Sequence, residues 1–296
     1  MGELGSPVRV RLVHLVELPL PCIDAFLPVR GEISKEQIAA LEAFNPDITF
    51  ILRPDLLTHD VLATLPGIVI AHSCERLSKA GIRRYRELFP AGDNCRAAML
   101  HADSRAVATL AASGVQALGS FLLPVRSSCF HHPNSLEAWT NREIPLLLVA
   151  STDGLIRDYV EVAERIPGFV HVASSSSDES VETIVRNARM VLHLPRANDR
   201  YLDTAKAVRD MAYGCLVVGG GFAEDYGLIP NEDYLSVCRP EDLAAIVRPY
   251  LRMPDTLDVV RKNAMRRAQA FDASERYVAM IEKYFLYRAK GPGAPS

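Results

Sequence analysis

Residues 205–227 read A-K-A-V-R-D-M-A-Y-G-C-L-V-V-G-G-G-F-A-E-D-Y-G. A helix predicted over 203–213 runs into the apolar strand C-L-V-V (215–218), then three glycines and an acidic turn. The triplet invites a nucleotide reading, and two common nucleotide signatures can be tested against it. A dinucleotide loop needs G-x-G-x-x-G, and counting from Gly219 the sixth position is Glu224. The triplet also falls late in the chain rather than after the first strand of its domain. The phosphate loop G-x-x-x-x-G-K-[ST] is absent too. Two readings of the glycines remain. One is a tight turn after a strand. The other is a run of backbone N–H groups open to an anion because no Cβ blocks the approach.

Outward from that stretch, strand-like and helix-like segments alternate. V-R-V-R-L-V-H-L (8–15), D-I-T-F-I-L (47–52), G-I-V-I-A-H (67–72) and R-A-A-M-L-H-A (96–102) read as strands. Helices are predicted at 34–44, 60–65 and 105–112, the last with Asp103 or Ser104 as its cap. I-P-L-L-L-V-A (144–150) opens a second series. It continues with a helix at 155–166, strands F-V-H-V-A and M-V-L-H-L (190–194), a serine run at 174–180, the helix and strand of the opening stretch, a strand at 234–238 and further helices. Uninterrupted apolar strands suit parallel sheets covered on both faces by helices. The polar, turn-rich stretch 127–143 separates the two series. The fold class is therefore α/β, with two Rossmann-like domains facing across a cleft and a ligand site at the carboxyl ends of the strands. We place an N-terminal domain at 1–130, a linker at 131–143 and a C-terminal domain at 144–273. A helix at 274–290 packs back across the cleft, and 291–296 forms a disordered tail.

Bulk properties narrow the function. The 296 residues carry a formal net charge of -3, with 49% hydrophobic and 23% charged residues, and this near-neutral balance argues against nucleic-acid binding. No segment approaches the roughly 18 uninterrupted apolar residues of a membrane span. Arg9, Arg11 and His14 interrupt the apolar N-terminal stretch, so a cytoplasmic protein without a secretory signal is expected. Six cysteines have no C-x-x-C pair, which suits reduced thiols rather than a disulfide frame or a zinc site. Neighbouring side chains point in different directions, so the doublet His131-His132 is not read as a metal site.

The opening stretch resembles the donor-binding core of GT-B fold glycosyltransferases of the group 1 type. Their helix K-x-x-E-x-M-A-x-G, strand x-P-V-V and small-residue loop align with Lys206, Met211, Ala212, Gly214, Val217 and Val218, then Gly219 to Gly221. C-R-P-E-D-L-A-A-I-V-R-P-Y-L (238–251) is similar to a later family helix. Upstream, N-P-D-I-T-F-I-L (45–52), P-G-I-V-I-A-H-S (66–73), residues 98–115 and A-S-T-D-G-L-I-R-D-Y (150–159) resemble family segments in the same order. The likeness spans roughly 45–285 and is greatest to the spore-maturation-type branch, whose N-terminal domain is often reduced.

The resemblance implies a transferase that moves a sugar from a nucleoside-diphosphate sugar to an acceptor, which is a small molecule, a glycan or a lipid-linked molecule. It implies retention of configuration, no metal and no cofactor. A peripheral membrane contact and the oligomeric state are left open. Lys206, Arg157 and the N–H groups at Gly219, Gly220 and Gly221 would face the donor diphosphate, supplying the charge that a metal otherwise brings. His72 would be the catalytic residue, a strand-end histidine in the cleft. Two family glutamates, one of them ribose-binding, fall here at Tyr201 and Arg209. Asp210 is about 100° away from Arg209 around the helix, so it is not a direct replacement. Asp199, Asp203, Glu224 and Asp225 are other carboxylates near the expected sugar site, and Arg209 could bind phosphate instead. The missing pair keeps a second reading open, a nucleotide-sugar-binding protein without turnover. A third is another α/β enzyme, either an epimerase-type relative or a nucleotide-dependent oxidoreductase.

Overall fold

The computed structural model describes residues 48–52, 57–92, 96–131, 134–150, 155–172, 178–194 and 200–290, with isolated positions at 39, 43, 45 and 54. The predicted strand at 8–15, the loop 151–154, serines 174–177, Asp199 and the tail 291–296 lie outside the described residues, as does most of the helix predicted at 34–44.

The first unit runs β1 (Ile48–Leu52), α1 (His59–Thr64), β2 (Ile68–Ser73), α2 (Lys79–Leu88), β3 (Ala97–His101), α3 (Ser104–Ala112) and β4 (Ala117–Ser120). Its strands form one parallel sheet in the order β1-β2-β3-β4. Val69, Ile70 and Ala71 are all sealed from solvent, as the continuous apolar run in β2 requires of a strand covered on both faces. Helix starts follow local chemistry. The side chains of Thr58, Ser78 and Asp103 each accept a backbone N–H in the first turn of α1, α2 and α3. Strand β4 had no sequence signal. A-L-G-S is four residues long, and Gly119 takes φ +143° at an irregularity in the pairing with β3.

The second unit contains α4 (Leu136–Thr140), β5 (Ile144–Val149), α5 (Leu155–Ala163), β6 (Phe169–Val172), α6 (Asp178–Arg186), β7 (Ala188–His193), α7 (Arg200–Ala212), β8 (Leu216–Gly219), β9 (Leu235–Ser236), α8 (Leu243–Arg252) and α9 (Pro254–Gln269). All five strands are parallel, in the order β6-β5-β7-β8-β9. The chain steps from β5 outward to β6, then returns to the other side of β5 as β7. The crevice at the carboxyl ends of β5 and β7 is thus the switch point where ligands collect in open α/β sheets. One face of the sheet packs Leu146, Leu148, Met190, Leu216 and Val218 against Ile156, Tyr159 and Val247. The other packs Leu147, Val191 and Val217 against Val208, Met211 and Ala264. Within the polar stretch 127–143, Trp139 is buried in the first of these clusters. Its indole N–H donates to the Arg189 carbonyl at 2.7 Å, and Arg261 lies over its ring.

Gly214 ends α7. At φ +74° it lets its own N–H reach the Met211 carbonyl and the Cys215 N–H reach the Asp210 carbonyl, the paired bonds of a Schellman cap. That cap turns the chain directly into β8.

A last helix, α10 (Ala273–Lys290), returns to the first unit. Met280 and Tyr284 pack against Ile70, Ala98, Leu100 and Leu118 on the face of the first sheet. The two crossings between units run side by side. The Val125 N–H donates to the Phe271 carbonyl, the Ala273 N–H donates to the Val125 carbonyl, and Ser127 Oγ donates to Asp272.

Candidate functional site

The glycine triplet lies at the carboxyl edge of the second sheet, and its first member is sterically obligatory. Gly219 has φ +152°, and a Cβ built there would stand 1.9 Å from the His193 carbonyl oxygen. Strand β8 can end this close to β7 only without a side chain. Gly221 takes φ +71° and is exposed. Among the described residues no backbone carbonyl accepts from the N–H of Gly220 or Gly221, so the loop holds donors in hand. The chain then dives back. Phe222 sets its ring edge-on to Tyr234 at 4.8 Å and to His193 at 6.2 Å. The Ala223 N–H donates to Thr204 Oγ1 on α7, which fixes the loop to the helix.

This loop is also where the two units meet. Tyr226 donates its hydroxyl proton to the Ala102 carbonyl, at the end of β3, over 2.7 Å. Ala102, Ala223 and Tyr201 form a small buried cluster, with the Tyr201 ring edge-on to Tyr226 at 6.4 Å. Tyr201, standing where the resemblance puts a carboxylate, is thus part of the contact between units. Glu224 sits exposed in the one-turn helix Glu224–Tyr226.

Behind the loop lies a buried chain of charges. Asp210, 1% exposed, accepts from the Arg209 guanidinium at 2.6–2.7 Å and from His193 Nε2 at 2.8 Å. Burial pushes its pKa up, but Arg209 and His193 outweigh this and hold the carboxyl below its usual range. Arg209 is itself 5% exposed, so its charge is directed into this carboxylate. The expectation of Asp210 as a direct ligand residue therefore meets a carboxylate already occupied on both oxygens. Lys206, one turn earlier on α7, is half-buried, and among the described residues it makes no ion pair. Arg157 projects from the solvent side of the first turn of α5, without an ion pair to Glu161.

His72 is placed differently from the expectation. Position 72 has the same strand parity as Ile70, whose face is covered by α10, so the ring turns into an aromatic core rather than an open cleft. It is 2% exposed, sits between Phe50 and Phe121, and donates Nε2–H to the Phe121 carbonyl at 2.7 Å. Burial holds its pKa down to about 4, so the ring is neutral. His101, at the end of β3, is equally committed. Its Nδ1 accepts from the Asp103 N–H, which leaves Nε2–H to donate to the Glu75 carbonyl. Asp103 Oδ1 accepts from the Arg105 N–H and caps α3.

The structure thus brings Gly219, Gly220, Gly221, Glu224, Lys206, Arg209 and Asp210 together around α7 and the end of β8, and keeps His72 in the core of the other unit. Sequence reasoning offers His193, like His14 and His101, only as a strand-end histidine ranked below His72. One signal was available. Asp210 lies in the stretch A-V-R-D-M-A, whose Ala207, Val208 and Met211 are all sealed from solvent, and a carboxylate buried there must have partners. A cavity of about 410 Å³ lies elsewhere, between α4 and α9, lined by Ser135, Leu136, Lys262 and Arg266 among others. It is near Gly214, at the opposite end of β8 from the glycine loop. Among the described residues there is no cluster of three or more His, Cys, Asp or Glu groups suited to a metal, and no helix long and apolar enough to cross a membrane.

No family model and no curated protein matches the sequence. Solved structures do match the fold. Anabaena HepE in complex with UDP and glucose is 10% identical at a TM-score of 0.55, covering 85% of this chain and 82% of that one. Sucrose-phosphate synthase from Thermosynechococcus elongatus is 12% identical at 0.51, over 86% and 78% of the two chains. The pneumococcal O-GlcNAc transferase GtfA, in complex with UDP and GlcNAc, is 11% identical at 0.51, over 83% and 58%. With two parallel sheets, a switch-point crevice and a terminal helix that returns to the first unit, the chain has the GT-B fold.

Proposed function

We propose that this protein is a glycosyltransferase that takes a sugar from a nucleoside-diphosphate donor and passes it to an acceptor. The observation that carries this reading is the glycine loop. It stands at the carboxyl edge of the second sheet, holds backbone donors at Gly220 and Gly221, and is tied through Ala223 to Thr204 on α7, the helix that carries Lys206. The neighbours solved with UDP and a sugar support the nucleotide-sugar class as the ligand.

The chemistry required of the site is modest. The leaving diphosphate gains charge as the glycosidic bond breaks, and preorganised donors stabilise it most where water is excluded. The Gly220 and Gly221 N–H groups contribute dipoles and Lys206 a full charge, so the step proceeds without a metal. Arg157 on α5 is an outer contact for the same anion. Retention of configuration follows from the family resemblance. We assign His72 no acid–base role, since proton transfer there would first require breaking its bond to Phe121. Its part is to tie β2 to the segment after β4.

Calorimetric titration with UDP, GDP and dTDP tests the donor site, with Lys206→Ala as the discriminating variant. Charge-assisted contacts of this type are worth about 1.5–3 kcal/mol, so its Kd should rise at least about tenfold while Tm stays near the wild-type value. A large Tm loss with unchanged affinity would make the lysine structural. A second reading is a nucleotide-sugar-binding protein without turnover. It is favoured by Tyr201 being built into the contact between units and Arg209 being turned onto Asp210. Donor binding without hydrolysis or transfer, across a panel of acceptors, would select it.

A further inference from the structure

His193 occupies the carboxyl end of β7, one side of the switch-point crevice, and pairs in register with Gly219. Its Nε2 is 2.8 Å from Asp210 Oδ2. The other Asp210 oxygen is held by Arg209, which keeps the carboxylate ionised and able only to accept. In the imidazole tautomer that this contact selects, the proton sits on Nε2 and Nδ1 presents a lone pair. No described residue bonds to Nδ1. The side chain is 10% exposed, with Phe222 of the glycine loop against its ring.

We propose that His193 is a specificity-determining residue, whose Nδ1 accepts a hydrogen bond from a hydroxyl of the bound nucleotide sugar. Arg209 and Asp210 are the positioning residues that set its tautomer. The inference rests on the donor-site reading above. The chemistry distinguishes a hydroxyl from a phosphate. A lone pair repels an anionic oxygen, and the Arg209 charge that would attract one is neutralised by Asp210. Phosphate oxygens are drawn instead to the Gly220 and Gly221 N–H groups and to Lys206. The group over His193 must bring its own proton, and the hydroxyl is supplied by the ribose or by the transferred sugar.

The test is His193→Gln, which keeps a donor near the Nε2 position for Asp210 but removes the acceptor at Nδ1. Wild type and variant are titrated with UDP, 2′,3′-dideoxy-UDP and UDP-glucose, and with the corresponding GDP compounds. If the ribose is the source, wild type prefers the hydroxylated diphosphate about tenfold over the dideoxy compound. If the sugar is the source, wild type gains a similar factor from the glucose moiety. Either preference should vanish in His193→Gln while Tm holds. A variant that keeps the preference shown by the wild type would overturn the proposal. So would one that loses affinity for hydroxylated and dideoxy ligands alike. If His193→Gln melts early, His193→Asn keeps an amide oxygen near the Nδ1 position. A recovered preference supports the proposal, and its absence overturns it. Wild type that binds none of these nucleotides sinks the donor-site reading itself, a result distinct from all the others.

Discussion

Two histidines occupy the same kind of position, and the structure treats them in opposite ways. His72 ends β2 in the first unit and His193 ends β7 in the second, each after a buried apolar run. The His72 ring is enclosed by Phe50 and Phe121, and its polar partner is a neutral carbonyl. His193 instead stands on a carboxylate locked by an arginine, beside a loop of glycines. The difference arises from what covers each sheet. Helix α10 closes over the first sheet with Tyr277 and Met280, whereas α7 offers Asp210 to the second. A strand-end histidine becomes a core residue or a site residue according to the helix laid on its face.

The sharpest way to break this contrast is to remove the carboxylate. Asp210→Ala takes the anion from a buried Arg209, and losing one partner of a buried ion pair costs about 3–5 kcal/mol. Urea unfolding should show that loss, and Asp210→Asn, which keeps an acceptor, a smaller one. Equal stability of Asp210→Ala and wild type would mean that the pair is not formed in solution.

His72 allows a test of the other side by pH. Its folded pKa of about 4 lies below the unfolded value of 6.5, so between these values the unfolded chain binds more protons. Stability is therefore full above pH 6.5 and is lost as pH falls toward 4, by about 3 kcal/mol at most. His101, also held down by burial, adds to the same slope. Replacing His72 with Phe, close in size for the aromatic core, should remove the His72 part and flatten the profile over pH 4–6.5. Superimposable profiles would show that the ring is not buried as described.

The architecture was legible in the sequence because burial leaves a plain record. The strand-like runs at 67–72, 96–102, 144–150 and 190–194 all became inner strands of the two sheets, and 47–52 the edge strand β1. The glycine loop was legible for a related reason, since only a missing side chain permits the approach of Gly219 to His193. The site's wiring was hidden. The partner of Asp210 lies 17 residues away on another element, and no local spacing encodes a contact made by tertiary packing. His72 was misplaced because composition shows that a strand is buried but not what lies over each face. Trp139 stayed inconspicuous in a polar stretch because one buried indole produces no periodicity.

The smallest expected effect falls where the two units touch. Tyr226→Phe removes a single hydrogen bond, to the Ala102 carbonyl, and leaves the ring contact with Tyr201 in place. Such a bond is worth about 1 kcal/mol net, and Ala102 is sealed from solvent, so its carbonyl would lose that partner in the closed arrangement. The bond joins the units rather than stabilising either sheet. Its loss should therefore speed amide exchange in the loop 222–227 several-fold while β2 and β7 keep their protection. Uniform acceleration in both sheets would make Tyr226 an ordinary contributor to stability. No change at all would mean that the loop holds its place through Ala223 and Thr204 alone. Only the local result ties the glycine loop to the first unit, and with it the wall on which His193 and the ligand hydroxyl would meet.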